Sequence, residues 1–210
     1  MRRVTNGDYR VIVQRIAIAG GIGAGKTMVT DRLADFGWPV IDADLIAHRV
    51  TAAGRPAWEA LRDAFGDAIL EADGELDRPF LAQIVFNDAS SLRRLNLITH
   101  RFIGEEMARQ LGEASGDAAF VAIPLYRPEH RKLFDLGEVW AVQTSPETAI
   151  ARLCASRGFI VDDANARVAS QMTNEERLAI VDRVIWNEGT VAELYAQVDD
   201  LLRLVGLERG

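Results

Sequence analysis

The chain has 210 residues and is 49% hydrophobic, which is enough for a full core and fits one domain with a small insertion. Its formal net charge of −7 argues against broad binding to nucleic acid or to a membrane surface, so we expect a local pocket to hold any anionic ligand. No apolar run approaches the roughly 20 residues that span a bilayer, and the single cysteine, Cys154, excludes an intramolecular disulfide and favours the cytoplasm.

The first part of the chain predicts a leader, a strand, a helix and a second strand. No apolar segment of signal-peptide length follows the charges of "MRRVTNGDYR", so nothing suggests export. We interpret residues 1–14 as a leader without regular structure before the first strand. "RIAIAG" at 15–20 predicts a buried strand that ends in glycines. "KTMVTDRLADFG" has apolar residues at helical spacing and a stop at Gly37, and "WPVID" predicts the second strand.

The middle of the chain predicts a long helical insertion. From about 45 to 112 the apolar spacing is helical, interrupted only by the turn-rich "EADGELD". This is more than one crossover between strands needs, so we expect it to build a wall of the substrate site. Strand character returns in "AAFVAIP" at 118–124 and in "EVWAVQT" at 138–144.

The last part of the chain predicts capped helices around one short strand. Ser145 is the expected N-cap of the helix that contains Cys154, and the apolar side of that helix predicts a buried thiol. "RVIWNEG" predicts a strand, and "TVAE" predicts a capping box from Thr190 to Glu193. Because strands alternate with helices, we expect an α/β fold with a doubly wound, mostly parallel sheet.

A phosphate-binding motif lies between the first strand and the first helix. Gly20, Gly25, Lys26 and Thr27 in "GGIGAGKT" fit G-x-x-x-x-G-K-[ST] in full. Glycines let successive backbone N–H groups point at phosphate oxygens, and the start of the helix adds its positive end. Lys26 reaches the β- and γ-phosphates, and the Thr27 hydroxyl is the expected ligand of Mg²⁺ bound with ATP. Lys26 and Lys132 are the only lysines in the chain, so a lysine at this position of the motif is not expected by chance.

This motif predicts a P-loop nucleoside triphosphatase fold, and other signals narrow the class. Neither lysine follows an asparagine, so the guanine-reading motif of GTPases is missing. The strand "AAFVAIP" has Ala122 where a transport-type ATPase has an acid. Small kinases remain; they close an arginine-rich lid over the phosphates. Arg152 and Arg157 in "RLCASRG" are the first candidates for that lid, and Arg167 and Arg177 follow.

The chain resembles the dephospho-CoA kinase family from about residue 15 to 205. The resemblance is carried by "GGIGAGKT", "VIDADLIAHRV", "LDRPFLAQIVFND" with "LNLITH", "SPETAIARLCASRG" and "ASQMTNEERLAIVDRVIWNEGT". It implies phosphorylation of the ribose 3′-hydroxyl of dephospho-CoA by ATP and a three-layer α/β/α domain with five strands. Apart from the resemblance, we favour a monomer. The implied boundaries within a single domain at 15–210 are a core at 15–44, 118–156 and 182–210, the acceptor-binding insertion at about 45–112, and a lid at about 157–180.

The resemblance also implies site residues. The implied ATP-binding residues are Gly21, Gly23, Ala24, Gly25, Lys26, Thr27, Met28, Arg152 and Asn187, with Asn187 near the adenine. Lys26, Asp44 and Arg157 are the implied catalytic residues, and Asp44 would accept the hydroxyl proton. Asp42, Asp44, Arg49 and His100 are the implied acceptor-binding residues. From the sequence alone Asp44 could equally be a helix N-cap, and His100 could be a satisfied histidine on a packed helix face.

Departures from the family pattern keep other functions open. The family reads like "DIPLLFE" where this chain reads "AIPLYRPEH", so Ala122 replaces the first acid. Glu129 could replace the second acid, but Pro128 fixes the local backbone and shifts the register by one residue. Arg101 replaces a proline, and Trp186 replaces an acid before "NEG". The alternatives are a P-loop kinase of another small hydroxyl or nucleotide acceptor, and a degenerate paralogue that only binds nucleotide.

Overall fold

The computed structural model describes residues 13–208, and most of the predicted leader lies outside this range. The five strands are β1 (Gln14–Gly20), β2 (Val40–Asp42), β3 (Ala118–Ala122), β4 (Glu138–Gln143) and β5 (Arg183–Trp186). They form one sheet in the order β2-β3-β1-β4-β5. β1 pairs in parallel with β3 and with β4, and β4 pairs in parallel with β5. The prediction of an α/β fold with a five-stranded, mostly parallel sheet is confirmed.

Ten α-helices are present in the described part of the chain. They are α1 (Lys26–Asp35), α2 (Ala43–Val50), α3 (Pro56–Phe65), α4 (Arg78–Asn87), α5 (Ala89–Glu113), α6 (Pro128–Leu133), α7 (Pro146–Arg157), α8 (Val161–Ala169), α9 (Asn174–Leu178) and α10 (Val191–Leu204). A 3₁₀ turn at Asp67–Ile69 lies between α3 and α4. Within residues 13–208, no helix is long and apolar enough to cross a membrane.

The chain divides into two compact units. The first unit runs to Val40 and resumes at Ala114, and the second unit is Ile41–Glu113. The division falls inside the short strand β2, so the chain leaves the sheet there, forms the second unit, and returns to the sheet through β3.

The core of the first unit lies on the sheet. Successive residues of β1 point to opposite faces, and Ile16, Ala17 and Ile18 are all fully buried, so both faces of the central strand are covered. Phe120 packs edge-to-face against Trp140 at 5.7 Å between ring centroids. Each large apolar side chain buried in this way contributes about 1.5–3 kcal/mol to folding, and α1 and α10 supply further members of the same cluster.

The second unit is helical and has a small core of its own. Leu61 of α3 and Leu81 of α4 are buried together with Ile69 and Leu76 from the segment between those helices. The Trp58 indole N–H donates to the carbonyl of Gly74 at 3.0 Å, which fixes the turn before α4 onto α3. The 25-residue helix α5 packs against α2, α3 and α4.

Local signals in the sequence located some helix ends correctly and others incorrectly. Ser145 accepts a hydrogen bond from the Thr148 N–H as the N-cap of α7, and Thr190 and Glu193 form the expected capping box of α10. The alternative that Asp44 is an N-cap is wrong, because the extended strand continues to Asp42 and the helix begins at Ala43. Cys154 is only partly buried, so it is not the core thiol that the sequence predicts.

Candidate functional site

The glycine loop, residues 20–27, joins β1 to α1 in a conformation that requires glycine. Gly23 and Gly25 have φ angles of +76° and +92°, in the left-handed region that L side chains rarely adopt. A Cβ atom on Gly25 would lie 2.2 Å from Nδ2 of Asn187, and one on Gly23 would lie 2.9 Å from the carbonyl oxygen of Ala149. Gly23 and Gly25 are therefore required both by their backbone angles and by the atoms packed around the loop.

The loop presents backbone donors at the start of α1. Gly25 precedes the helix and offers no side-chain cap, so the first N–H groups of α1 lack the partner that helix starts usually have. Within residues 13–208, no protein acceptor receives the N–H groups of Gly25, Lys26 or Thr27. Lys26 is half-buried at the first position of the helix. This arrangement of donors and one cation suits a phosphate group.

Asn187 and Arg152 hold the loop from one side. The Asn187 carboxamide is 3% exposed and its Nδ2 donates to the carbonyl of Ala24 at 2.8 Å. Arg152, on α7, donates from Nη2 to the backbone oxygen of Asn187 at 3.0 Å and to its Oδ1 at 3.3 Å. The predicted ATP-binding residues Arg152 and Asn187 thus lie against the glycine loop and fix its shape, and the adenine contact implied for Asn187 stays a prediction.

Glu188 fixes the turn that carries Asn187. Its Oε1 accepts from the Thr144 hydroxyl at 2.7 Å and from the backbone N–H of Ser145, and its Oε2 accepts from the Thr148 hydroxyl at 2.9 Å. The Thr144 hydrogen bond, followed by that of Ser145, lowers the pKa of Glu188 from its ordinary value of 4.5. The ionised carboxylate therefore ties the end of β5 to the start of α7.

A second segment, Gln171–Arg177, holds the loop from another direction. Oε1 of Gln171 accepts a hydrogen bond from the backbone N–H of Ile22 at 2.8 Å. Arg177 is only 8% exposed, and a Cβ atom on Gly21 would lie 3.3 Å from its Nη2. Asn174 connects this segment to the sheet, because its Nδ2 donates to the carbonyl of Thr144 at 2.7 Å. The segment falls within the region expected to form a lid, yet these contacts fix it on the loop.

Thr27 is the residue of this unit that fits a magnesium ion bound with a nucleotide. Its side chain is exposed at the second position of α1, directly after the lysine of the loop. No group of three or more His, Cys, Asp or Glu side chains within residues 13–208 could hold a metal by itself. Mg²⁺ keeps several waters and needs only one or two protein ligands beside phosphate oxygens, so a single hydroxyl suits it.

The acceptor-binding residues implied by the sequence lie in the second unit. Oδ1 of Asp42 accepts from the N–H groups of Asp44 and Leu45 at 2.8 and 3.1 Å, so Asp42 is the N-cap of α2. Asp44 is exposed in the first turn of this helix, and Arg49 is exposed in the last turn. His100 is exposed on α5, which contradicts the alternative of a packed histidine. The roles of these residues stay predictions.

Arg157 and the rewritten segment after β3 complete the predicted features. Arg157 is exposed at the last position of α7, before the left-handed Gly158, so a lid role for it stays a prediction. Tyr126 is 6% exposed, and hydrogen bonds with Tyr126 and then Asp182 raise the pKa of Arg131. Glu129 lies exposed on α6, and Ala122 is fully buried. The segment "AIPLYRPEH", which departs from the family pattern, is therefore an ordered part of the first unit.

The first unit brings Arg152 and Asn187 against the glycine loop, and the binding of ATP by these residues stays a prediction. The sequence reasoning missed Gln171, Asn174 and Glu188, and it treated Arg177 only as one of several lid arginines. Polar residues in a stretch such as "SQMTNEER" look like an ordinary solvated helix start. Only the order of these residues after the loop motif could have identified them, because Gln171, Asn174 and Glu188 contact residues that are distant in the chain.

A family model and named relatives identify the same family. A family model described as dephospho-CoA kinase matches residues 14–193. A protein named dephospho-CoA kinase from Aromatoleum aromaticum is 41% identical over 186 residues, which cover 89% of this chain and 91% of the relative. The crystal structure of TT1252 from Thermus thermophilus is similar with a TM-score of 0.78 at 28% identity, covering 92% of this chain and 98% of the other. A dephospho-CoA kinase structure from Campylobacter jejuni gives a TM-score of 0.63 at 26% identity, covering 91% and 97%.

Proposed function

The chain belongs to the dephospho-CoA kinase family, and we propose that it transfers the γ-phosphoryl group of ATP to the ribose 3′-hydroxyl of dephospho-CoA. The products are coenzyme A and ADP, so the reaction is the last step of coenzyme A biosynthesis. The observation that carries the proposal is a complete glycine loop, with Lys26 at the start of α1, in a chain that matches the family over nearly its whole length.

The first unit supplies the phosphate-binding part of this reaction. The N–H groups of Gly25, Lys26 and Thr27 bind β-phosphate oxygens, and the Lys26 ammonium neutralises charge between the β- and γ-phosphates. The contacts that Asn187 and Gln171 make with the loop hold these donors in position before ATP binds. Donors fixed in advance lose little free energy to reorganisation, which is where phosphoryl-transfer enzymes gain most of their rate.

Magnesium belongs to the same proposal. Mg²⁺ bound with ATP would supply positive charge that offsets the negative charge of the phosphates. We assign the Thr27 hydroxyl as the protein group that would hold this ion.

The second unit supplies the acceptor part of the reaction. We assign Asp44 as the group that orients the 3′-hydroxyl and accepts its proton as the new P–O bond forms. Asp42 caps α2 and so holds the helix turn that carries Asp44. Arg49 and His100 are assigned to binding of dephospho-CoA, and Arg157 is assigned to the charge on the transferred phosphoryl group.

A kinase of another small hydroxyl acceptor is the second candidate. The segment after β3 favours it, because Ala122 carries no acid and Tyr126 is buried in a stretch that differs from the family pattern. The segment follows the carboxyl end of β3, and ligands bind at this edge of a parallel sheet, so the changed residues are placed where they can alter which acceptor binds.

The deciding experiment is a direct assay of coenzyme A formation from dephospho-CoA and Mg-ATP, with the folded Lys26→Met variant as control. Coenzyme A made by the natural protein and not by the variant supports the proposal. Turnover of ATP only with another acceptor from a panel of nucleotides and hydroxyl metabolites would establish the second candidate. ATP binding without turnover of any acceptor would mean a protein that only binds nucleotide.

We further propose that the protein is a cytoplasmic monomer. Cell fractionation tests its location, and light scattering tests its oligomeric state.

A further inference from the structure

Arg177 is a buried cation with no anionic partner in the described chain. Its residue is 8% exposed, and its guanidinium donates to two neutral oxygens, Oδ1 of Asn174 at 3.0 Å and the carbonyl of Met172 at 2.8 Å. Within residues 13–208, no carboxylate forms an ion pair with it. Burial lowers the pKa of Arg177, which the charge of Glu176 only partly opposes. A buried charge that is not neutralised is unusual unless a ligand supplies the counter-charge.

The guanidinium faces the glycine loop rather than solvent. Its Nη2 lies 3.3 Å from the position of a Cβ atom on Gly21. It also lines a cavity of about 250 Å³, whose other walls include Gly20 of the loop, Gln171, and the segment Pro124–Arg127 after β3. This volume is large enough for a phosphate group with bound waters, and it lies beside the glycine loop.

The arginine is held in place before any ligand arrives. Asn174 accepts its Nη1 hydrogen bond and itself donates to the carbonyl of Thr144, and Gln143 donates to the carbonyl of Asn174 at 3.3 Å. A guanidinium has five N–H groups, and two hydrogen bonds from this one to protein oxygens are described above. The others remain for a planar, two-point contact with phosphate oxygens, which is the geometry that arginine provides and lysine does not.

We propose that Arg177 is a fixed phosphate-binding residue of the transfer site, contacting a phosphate group in the cavity beside Gly20 and Gly21. The inference rests on the proposed function, because it needs phosphorylated substrates at the glycine loop. The phosphate belongs either to ATP, as its γ-phosphate, or to the acceptor. A purely structural role, in which Arg177 only packs against the loop, is the competing explanation that the experiment must exclude.

The test compares Arg177→Lys, Arg177→Met and the control Arg203→Met. Arg203 is an exposed arginine at the last turn of α10, so its replacement removes the same charge far from the loop residues named above. Each full-length variant is measured for kcat, for KM of both substrates, for the dissociation constants of ATP and ADP, and for Tm. The lysine variant keeps the charge and carries the test if the methionine variant does not fold.

We expect Arg177→Met to lower kcat/KM about 100-fold, the usual effect of removing one fixed donor to a reacting phosphate or oxyanion, and Arg177→Lys to recover part of it. Weaker binding of ATP with unchanged binding of ADP assigns the γ-phosphate. A raised KM for the acceptor with unchanged ATP binding assigns the acceptor phosphate. Kinetics within twofold of the natural protein, or ADP binding lost in step with Tm in both variants, would overturn the proposal. The ATP and ADP affinities remain informative even if the natural protein makes no coenzyme A, so the two proposals fail separately.

Discussion

Replacing Asn187 by alanine tests whether the glycine loop depends on a side chain far away in the sequence. The change removes the hydrogen bond that Nδ2 donates to the carbonyl of Ala24 at 2.8 Å. It also removes Oδ1, which accepts a hydrogen bond from Arg152 at 3.3 Å. Arg152 keeps its bond to the backbone oxygen at 3.0 Å, but Ala24 is 2% exposed and water cannot easily replace the lost donor. An unsatisfied buried acceptor costs about 1–3 kcal/mol, so we expect a loss of about 2 kcal/mol.

This loss is measurable by heat or denaturant unfolding. At about 2–4 °C per kcal/mol for a domain of this size, Tm should fall by about 4–8 °C. We also expect the KM for ATP to rise about tenfold or more, because the donors of the loop are no longer held in position.

The matched control is Asn165→Ala. Asn165 also donates from Nδ2 to a backbone oxygen, that of Val161 at 3.0 Å, but it is exposed on α8. Its replacement should change the free energy of unfolding by less than about 0.5 kcal/mol. If Asn187→Ala behaves like this control in both stability and KM for ATP, the loop does not depend on the carboxamide and the reasoning is wrong.

Three further predictions concern Lys26, Asp44 and Glu138. Lys26→Met should abolish turnover at unchanged Tm, whereas Lys132→Met, which replaces the other lysine of the chain, should leave the rate unchanged. Asp44→Asn should lower kcat about 100-fold or more with nearly unchanged ATP affinity in an equilibrium titration; natural turnover in that variant would remove Asp44 from the mechanism. Hydrogen bonds from Arg183 lower the pKa of Glu138 below its ordinary value of 4.5, so their stabilisation is present above pH 4.5 and lost as pH falls through the lowered pKa. Glu138→Gln should therefore be less stable at pH 7 and show a flatter acid limb in urea unfolding, and an unchanged limb would contradict the assignment.

The sequence predicted those parts of the site that depend on neighbouring residues. The glycine loop was found because its motif, strand and helix are continuous in the chain, and Ser145 and Thr190 were found because caps act within three residues. The N-cap alternative for Asp44 was wrong because an aspartate at either position, 42 or 44, suits a helix start. Where the extended strand ends decides between them, and that is set by pairing in the sheet.

The supporting residues could not be predicted because their partners are distant in the chain. Gln171 bonds the N–H of Ile22 across 149 positions, and nothing near it in the sequence distinguishes it from a surface glutamine. The role of Arg177 beside the loop could not be predicted for a similar reason, because arginines on short polar helices are usually solvated. The position of α9 beside the loop follows from the placement of Asn174 on β4, which is a property of the folded sheet.

The long-range contacts of the glycine loop have a consequence for the order in which the enzyme matures. The loop is made early in translation, yet its contacts with Gln171 and Asn187 span 149 and 163 residues. A ribosome must therefore release most of the chain before the loop can be held in its binding shape. ATP cannot assist the early steps of folding as a ligand, since a nascent chain that ends before β5 has the motif without the structure. Saturation with nucleotide should accordingly protect the completed protein from protease while leaving such truncated chains as sensitive as before.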